Sequence, residues 1–460
     1  MNSNANSGQP KKHSAIQGSA IGLFRPAYAY YVIVVLLLAY TLSFADRMLM
    51  TLLIEPIKKE FGISDTAVSI LVGFAFALFY VVMGIPFGYL SDRLNRRNMI
   101  RLGIGAWSLM MAICGLASTF GTLFLGRMGV GVGEATLSPC AYSMLGDYFP
   151  RDKLGRAMAL YSLGIPLGTG CALVFGGIVV QSFAKTPVVI VPFVGSLTSW
   201  RAAFLVLALP GLLLMLLMST VREPLRRGAK WQSERAPDAF EVLRFVKLNK
   251  RVLAYYFGGI SILSMVVYGT MAWIPTFFAR TYALNAARAG VYYGTILAVA
   301  GTVGLFAGGL MGDRLVKRGA SDGHLRTLMF GIAGASPFFI SIPLMPNMLS
   351  ALLLLIPATI LWSVALSLAG TIVQLLSPPN LRGQMTAIYF LVSVISGPGI
   401  GTTLVAVLTD FVFKHPSALR WSLAMVALAL PLAVLLFALA LKPYRDACDS
   451  LSQAAAVTPG

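Results

Sequence analysis

Apolar residues are grouped in about twelve long runs, separated by short polar stretches. The runs fall near residues 28–53, 65–91, 98–117, 120–146, 154–182 and 200–221, then 252–279, 287–312, 325–345, 348–376, 382–411 and 418–441. Stretches such as Tyr30 to Leu42 and Ala351 to Leu366 contain no charge at all. A helix needs about 20 apolar residues to cross a bilayer. The pattern therefore predicts an all-α integral membrane protein with twelve transmembrane helices. The longest polar stretch, Arg222 to Arg251, separates the sixth run from the seventh. It divides the chain into a bundle over 28–221, a linker over 222–251 and a second bundle over 252–441. A disordered tail over 1–27 and a second tail over 442–460 flank them. Within the linker, Phe240 to Val246 has the character of a short surface helix.

Composition agrees with the pattern. The chain is 57% hydrophobic and 12% charged, with mean hydropathy +0.78; a soluble chain carries about twice that charged fraction. The formal charge of +19 would suit nucleic acid if it formed a patch, but its distribution excludes that class. The tails and the 2–3, 4–5, 6–7, 8–9 and 10–11 loops hold about 26 of the basic residues and the opposite face about eight, the positive-inside pattern. Both termini are thus expected in the cytoplasm. Cys114, Cys140 and Cys171 lie inside apolar runs and Cys448 in the tail, with no metal-binding spacing. The first run is too long for a signal peptide's apolar core. Short loops and compact length fit a bacterial inner membrane.

A ten-residue pattern occurs twice. Gly88, Asp92, Arg93, Arg96 and Arg97 close the second run; Gly309, Asp313, Arg314, Lys317 and Arg318 close the eighth, 221 residues later. Pro150, Gly155, Ala159 and Tyr161 at the fifth run recur as Pro378, Gly383, Ala387 and Tyr389 at the eleventh. Trp200 precedes Pro210 as Trp421 precedes Pro431. Matched features in one order predict two pseudo-symmetric six-helix bundles, related by an axis along the membrane normal.

These features resemble the major facilitator superfamily over nearly the whole chain, with Asn95 where its loop signature usually has glycine. Within it, Tyr40 to Arg47, Gly73 to Tyr80, Gly129 to Ala135 and Asp147 to Pro150 resemble the spinster-like branch, most strongly in the first half. The resemblance implies the major facilitator fold, no cofactor and secondary transport by a monomer. It also implies a lysophospholipid or sphingoid phosphate as cargo, a functional acid in span one, and an Arg and Glu in span four.

Charged groups inside spans are few and cost at least about 2.5 kcal/mol each at mid-bilayer. Asp46 and Arg47 lie in span one, Arg127 and Glu134 in span four. Arg127, Gly131, Glu134 and Ser138 share a helical face, and the glycines at 129, 131 and 133 admit a close neighbour. One reading is a proton and headgroup site, with Asp46 and Glu134 changing protonation and Arg127 partnering one of them. The other is a permanent salt bridge between spans one and four. Arg47 either neutralises Asp46 or points into another interface. In the second half, Tyr268, Thr270, Trp273, Trp362, Gln374 and Tyr389 are candidates either for lining a cavity or for packing. An ionic half facing an apolar-aromatic half suits an amphiphile moved with, or against, protons.

Asp92 and Asp313 end spans two and eight, where each could accept hydrogen bonds from a helix N-terminus in the other half. By the resemblance these partners are spans eleven and five, making Gly88, Asp92, Arg93, Arg96, Arg97, Gly309, Asp313 and Arg314 a cytoplasmic gate; the alternative is a purely topogenic role. No metal cluster, nucleophile elbow or His-acid constellation is present, and His13, His324 and His415 fall in tails or loops, so an enzyme is not expected. The expected function is alternating-access transport of a lysolipid-like amphiphile coupled to protons, within a membrane and without nucleic acid. The alternative is a proton-coupled exporter of drugs or other small organic molecules.

Overall fold

In the computed structural model, residues 26–91, 93–149, 151–184, 188–191, 195–226, 239–378 and 381–457 are described. Asp92, Pro150, most of the N-terminal tail and residues 227–238 of the linker lie outside that set. Among the described residues, eleven helices are long and apolar enough to cross a membrane. Spans one to three are Pro26–Leu52, Asp65–Ser91 and Arg96–Leu116. Spans five and six centre on Arg156–Val179 and Ser199–Met218, and spans seven to nine on Lys250–Tyr282, Arg288–Lys317 and Gly323–Leu344. Spans ten to twelve are Met348–Leu376, Arg382–Val412 and Pro416–Ser450. The remaining one, span four, is two shorter helices, Phe120–Glu134 and Leu137–Tyr148. The twelve-helix expectation therefore holds, with span four broken.

The break follows from local sequence. Three glycines within Gly129–Gly133 weaken the helix, and the ladder tightens at its end: Thr136 N bonds to Gly133 O at 3.3 Å and Thr136 Oγ1 bonds to it at 2.8 Å. The face expected to run unbroken from Arg127 to Ser138 therefore ends at Glu134. At the C-terminus, helix Leu430–Val457 continues through most of the stretch read as a tail.

Helix faces are sorted for a bilayer. On span three, Leu102, Leu109 and Leu116 are exposed at seven-residue spacing, whereas Trp107, Met111 and Cys114 are fully buried. Lipid, rather than water, suits the exposed side. A hairpin of β1 (Val188–Val191) and β2 (Gly195–Thr198) joins spans five and six.

Glycines show how the halves meet. A Cβ on Gly73 in span two would lie 1.8 Å from Pro398 O in span eleven, and one on Gly294 in span eight 2.6 Å from Gly170 O in span five. Gly294 is the repeat partner of Gly73, and Pro398 that of Gly170, so the two crossings are pinned at equivalent points. At the first, widened π-type turns at Ile70–Phe74 and Ile395–Gly401 accommodate the close approach and the missing N–H of Pro398. Nearer the face that carries the basic loops, Gly84, Gly88, Gly309, Gly370 and Gly383 have nothing within 4 Å of where a Cβ would be. The halves are therefore closed toward the opposite face and parted toward the basic one.

Candidate functional site

All four intramembrane charges gather in the first half. Span one supplies Ser43, Asp46 and Arg47, and the end of the first helix of span four supplies Arg127 and Glu134. Arg47 Nε and Nη2 lie 2.8 and 2.7 Å from Glu134 Oε2, and Ser43 Oγ donates to the same oxygen at 2.5 Å. Three donors converge on one oxygen, a strong charge-assisted arrangement, while Glu134 Oε1 has no partner. Glu134 is thus paired with Arg47, not with Arg127.

Arg127 is fully buried. Its Nε donates to Leu71 O at 3.3 Å, and neither Nη1 nor Nη2 has a hydrogen-bond partner. Asp46 is equally buried, with Oδ1 unpartnered. It lies within electrostatic reach of Glu134, Arg127 and Arg47. Arg47 therefore does not hydrogen-bond Asp46; it bonds Glu134 across the helix pair.

The two guanidiniums share an aromatic neighbour. Arg47 lies 4.4 Å from the Phe76 ring centroid, 4.7 Å from Phe44 and 4.9 Å from Tyr80, and Arg127 lies 5.7 Å from Phe76. Phe76 reaches that position because Gly131 lets its backbone in: a Cβ there would sit 2.7 Å from Phe76 O. Gly133 likewise admits Trp107. These glycines serve neighbouring helices. Cation–π contacts contribute about 0.5–2 kcal/mol each, which lowers the burden of holding a desolvated arginine. Ser43 and Phe44 stand one helical turn before Arg47, and Phe76 and Tyr80 are four residues apart. That i, i+3 and i, i+4 spacing is the sequence signal by which these residues can be recognised as neighbours.

The second-half candidates divide. Tyr268 is within electrostatic reach of Arg47 and Tyr80, and Tyr389 of Tyr268 and Tyr142, so these two face the ionic half. Trp362 lines an apolar crevice with Ile165, Met271, Leu297, Leu305 and Leu366, between spans five, seven, eight and ten. Trp273 is instead a packing residue, its indole donating to Thr402 O at 2.9 Å. Thr270 is buried beside it, and Gln374 is exposed near the basic end of span ten.

Of the repeated signature, Asp92 lies outside the described residues. Asp313 is exposed and, among the described residues, pairs with His324 of its own half, at 3.3 Å. Arg93 lies over Tyr89 and Arg314 is exposed. Arg96 is buried: it bonds Asp147 at 2.5 Å, Ser143 at 2.8 Å and Glu223 at 2.7 Å, while Arg97 N bonds Glu223. It ties spans three and four to the start of the linker, all within one half.

A set of ties that the sequence reading did not single out closes the other face. Arg280, ending span seven, reaches Asp65 at 2.6 and 2.7 Å and Glu55 at 2.7 Å. Lys58 also pairs with Asp65. Asp410 of span eleven accepts from Thr66 N and Thr66 Oγ1, both at 2.7 Å, capping span two from the opposite half. The signal was present: these are charges at helix ends on the charge-poor face.

The fold defines a transporter, and the chain belongs to the Major Facilitator Superfamily, whose family profile matches residues 36–401. Within that superfamily it is spinster-like. A crystal structure of a bacterial homolog to the human lysosomal transporter Spinster, inward-facing and unoccupied, superposes with TM-score 0.74 and 26% identity, covering 93% of this chain and 98% of the other. The sphingosine-1-phosphate transporter SPNS2 of Danio rerio is 26% identical over 58% of this chain and 53% of its own. An MFS-type efflux pump of Mycolicibacterium smegmatis is 29% identical over 64% of each chain. The protein is a multi-pass membrane transporter and not an enzyme.

Proposed function

We propose that the protein moves a lysolipid-like amphiphile, a lysophospholipid or sphingoid phosphate, by alternating access coupled to protons. The observation that carries this is the buried Arg47–Glu134 pair, at the edge of an ionic half that faces tyrosines and an apolar crevice. A charged headgroup would compete with Glu134 for Arg47, and the apolar-aromatic second half would face the chain. Protonation of Glu134 removes the charge that holds Arg47, which frees the guanidinium for cargo; Asp46 and Arg127 form the second, unbonded pair of charges beside it. The relative named for sphingosine-1-phosphate supports the lipid class. The basic loops are read as cytoplasmic, in a bacterial inner membrane, with Asp92 and Asp313 closing that face when the other opens.

The test is lysolipid movement in reconstituted vesicles under an imposed pH gradient. We expect gradient-dependent movement of at least one lysolipid. Proton-dependent transport of a hydrophilic drug or sugar with no movement of any lysolipid would favour the second reading, a small-molecule exporter, which the efflux-pump relative supports.

A further inference from the structure

The linker contributes a ten-residue helix, Ala239–Leu248, whose outward face has no role in transport as derived above. Val242, Phe245 and Val246 pack against the protein. The other side presents Phe240, 70% exposed, Leu243, 50%, and Leu248, 75%. Comparable exposure of large apolar side chains occurs on the lipid-facing sides of the spans, as at Leu102 and Leu213. Interleaved with them are Arg244 and Lys247, followed by Lys250 and Arg251, all exposed. None of the four has an acidic partner among the described residues, and the one acid of the helix is Glu241.

Position fixes where this face lies. A single residue, Asn249, separates the helix from span seven, which begins at Lys250. Asn249 N and Nδ2 both bond to Phe245 O, at 3.0 and 3.1 Å, so the junction is not a free swivel. The helix is therefore held within one residue of a membrane-crossing segment, on the face with the basic loops. Apolar side chains at that depth find acyl chains, and unpaired cations beside them find phosphate headgroups.

We propose that this helix is a docking surface for the anionic lipid leaflet, with Phe240, Leu243 and Leu248 inserted at the headgroup boundary and Arg244, Lys247, Lys250 and Arg251 bound to acidic headgroups. It anchors the hinge between the halves to the membrane plane. The proposal does not depend on the cargo.

The experiment places a spin label at Leu243→Cys in full-length protein carrying Cys171→Ser and Cys448→Ser. The protein is reconstituted in vesicles of phosphatidylcholine alone, or of phosphatidylcholine mixed with phosphatidylglycerol. In the mixed vesicles we expect the label to be accessible to oxygen and shielded from a water-soluble nickel chelate; in phosphatidylcholine alone it should be largely water-accessible. Changing Arg244, Lys247, Lys250 or Arg251 to Gln should reduce the inserted population about fivefold per charge, the factor equivalent to about 1 kcal/mol. A label that is water-accessible in both membranes, or inserted equally in both, overturns the proposal. So does one shielded from both relaxers, the result for a protein contact at this face.

Discussion

Arg280→Met should open the face opposite the basic loops. Arg280 sits in the second half and makes two short bonds to Asp65 in the first; Asp65 is 1% exposed and Arg280 side chain 10%. Removing one member of a buried, hydrogen-bonded pair costs about 3–5 kcal/mol, because the remaining charge stays desolvated. Lys58 still touches Asp65, so the lower end, about 3 kcal/mol, applies. The contact with Glu55, which is half exposed, adds little. This loss falls on the closed arrangement alone, since opening exposes Asp65 to water. About 1.4 kcal/mol is tenfold, so the ratio of closed to open should fall about 100-fold. Spin-label distances between Lys59→Cys and Lys414→Cys, in opposite halves on that face, would report it as a second, longer population in lipid nanodiscs. Arg201→Met is the control, because Arg201 pairs with Glu60 inside one half. If Arg280→Met leaves the distances unchanged, or if the control shifts them equally, the latch reasoning is wrong.

Three further outcomes are expected. Gly73→Ala should also disfavour the closed face, because its Cβ would lie 1.8 Å from Pro398 O and backbone cannot yield cheaply; the same label pair reads it, and an unshifted distance would show that the crossing can slide. Arg96→Gln should lower thermal stability in detergent by about 3 kcal/mol or more without changing distances between the halves, since all its partners lie in the first half or at the linker start. Glu134→Gln, which mimics the protonated carboxyl, should leave the protein folded and remove the pH dependence of transport; a retained pH profile in the vesicle assay would take Glu134 out of the coupling role.

The spans and their duplication were legible because apolar period and repeat offset are one-dimensional properties of the chain. Partner choice was not. Arg127 is expected from the sequence to partner Asp46 or Glu134, yet Glu134 takes Arg47 from span one and Arg127 hydrogen-bonds neither carboxylate. Gly131 admits span two so closely that the Phe76 ring packs within cation–π distance of both arginines, a contact set by tertiary approach and not by span four alone. Helix breaks were similarly hidden, because the glycine run before Glu134 is compatible with either a continuous or an interrupted span. The latch at Arg280, Asp65 and Asp410 escaped notice for a different reason. Each residue sits at a helix end, where a lone charge is ordinary, and only the tertiary arrangement makes them partners.

The duplication also explains what each half contributes. The two crossings are pinned at repeat-equivalent glycine positions, so the backbone frame is symmetric where it must pivot. The charges are not. Asp410, which caps span two across the interface, corresponds by the repeat to Ser182 in span five, which among the described residues bonds to Ile178 O of its own helix. The latch therefore joins span two to spans seven and eleven, and among the described residues the span five–eight crossing shows glycine packing without such a tie. The same asymmetry holds in the interior: spans seven and ten carry no charge between Val252 and Phe278 or between Met348 and Leu376, whereas spans one and four carry four. Arg47–Glu134 lies in the half whose charge-poor end is latched through Asp65 and Thr66, and span two connects both, running from Asp65 and Thr66 to Phe76, which packs within cation–π distance of both arginines.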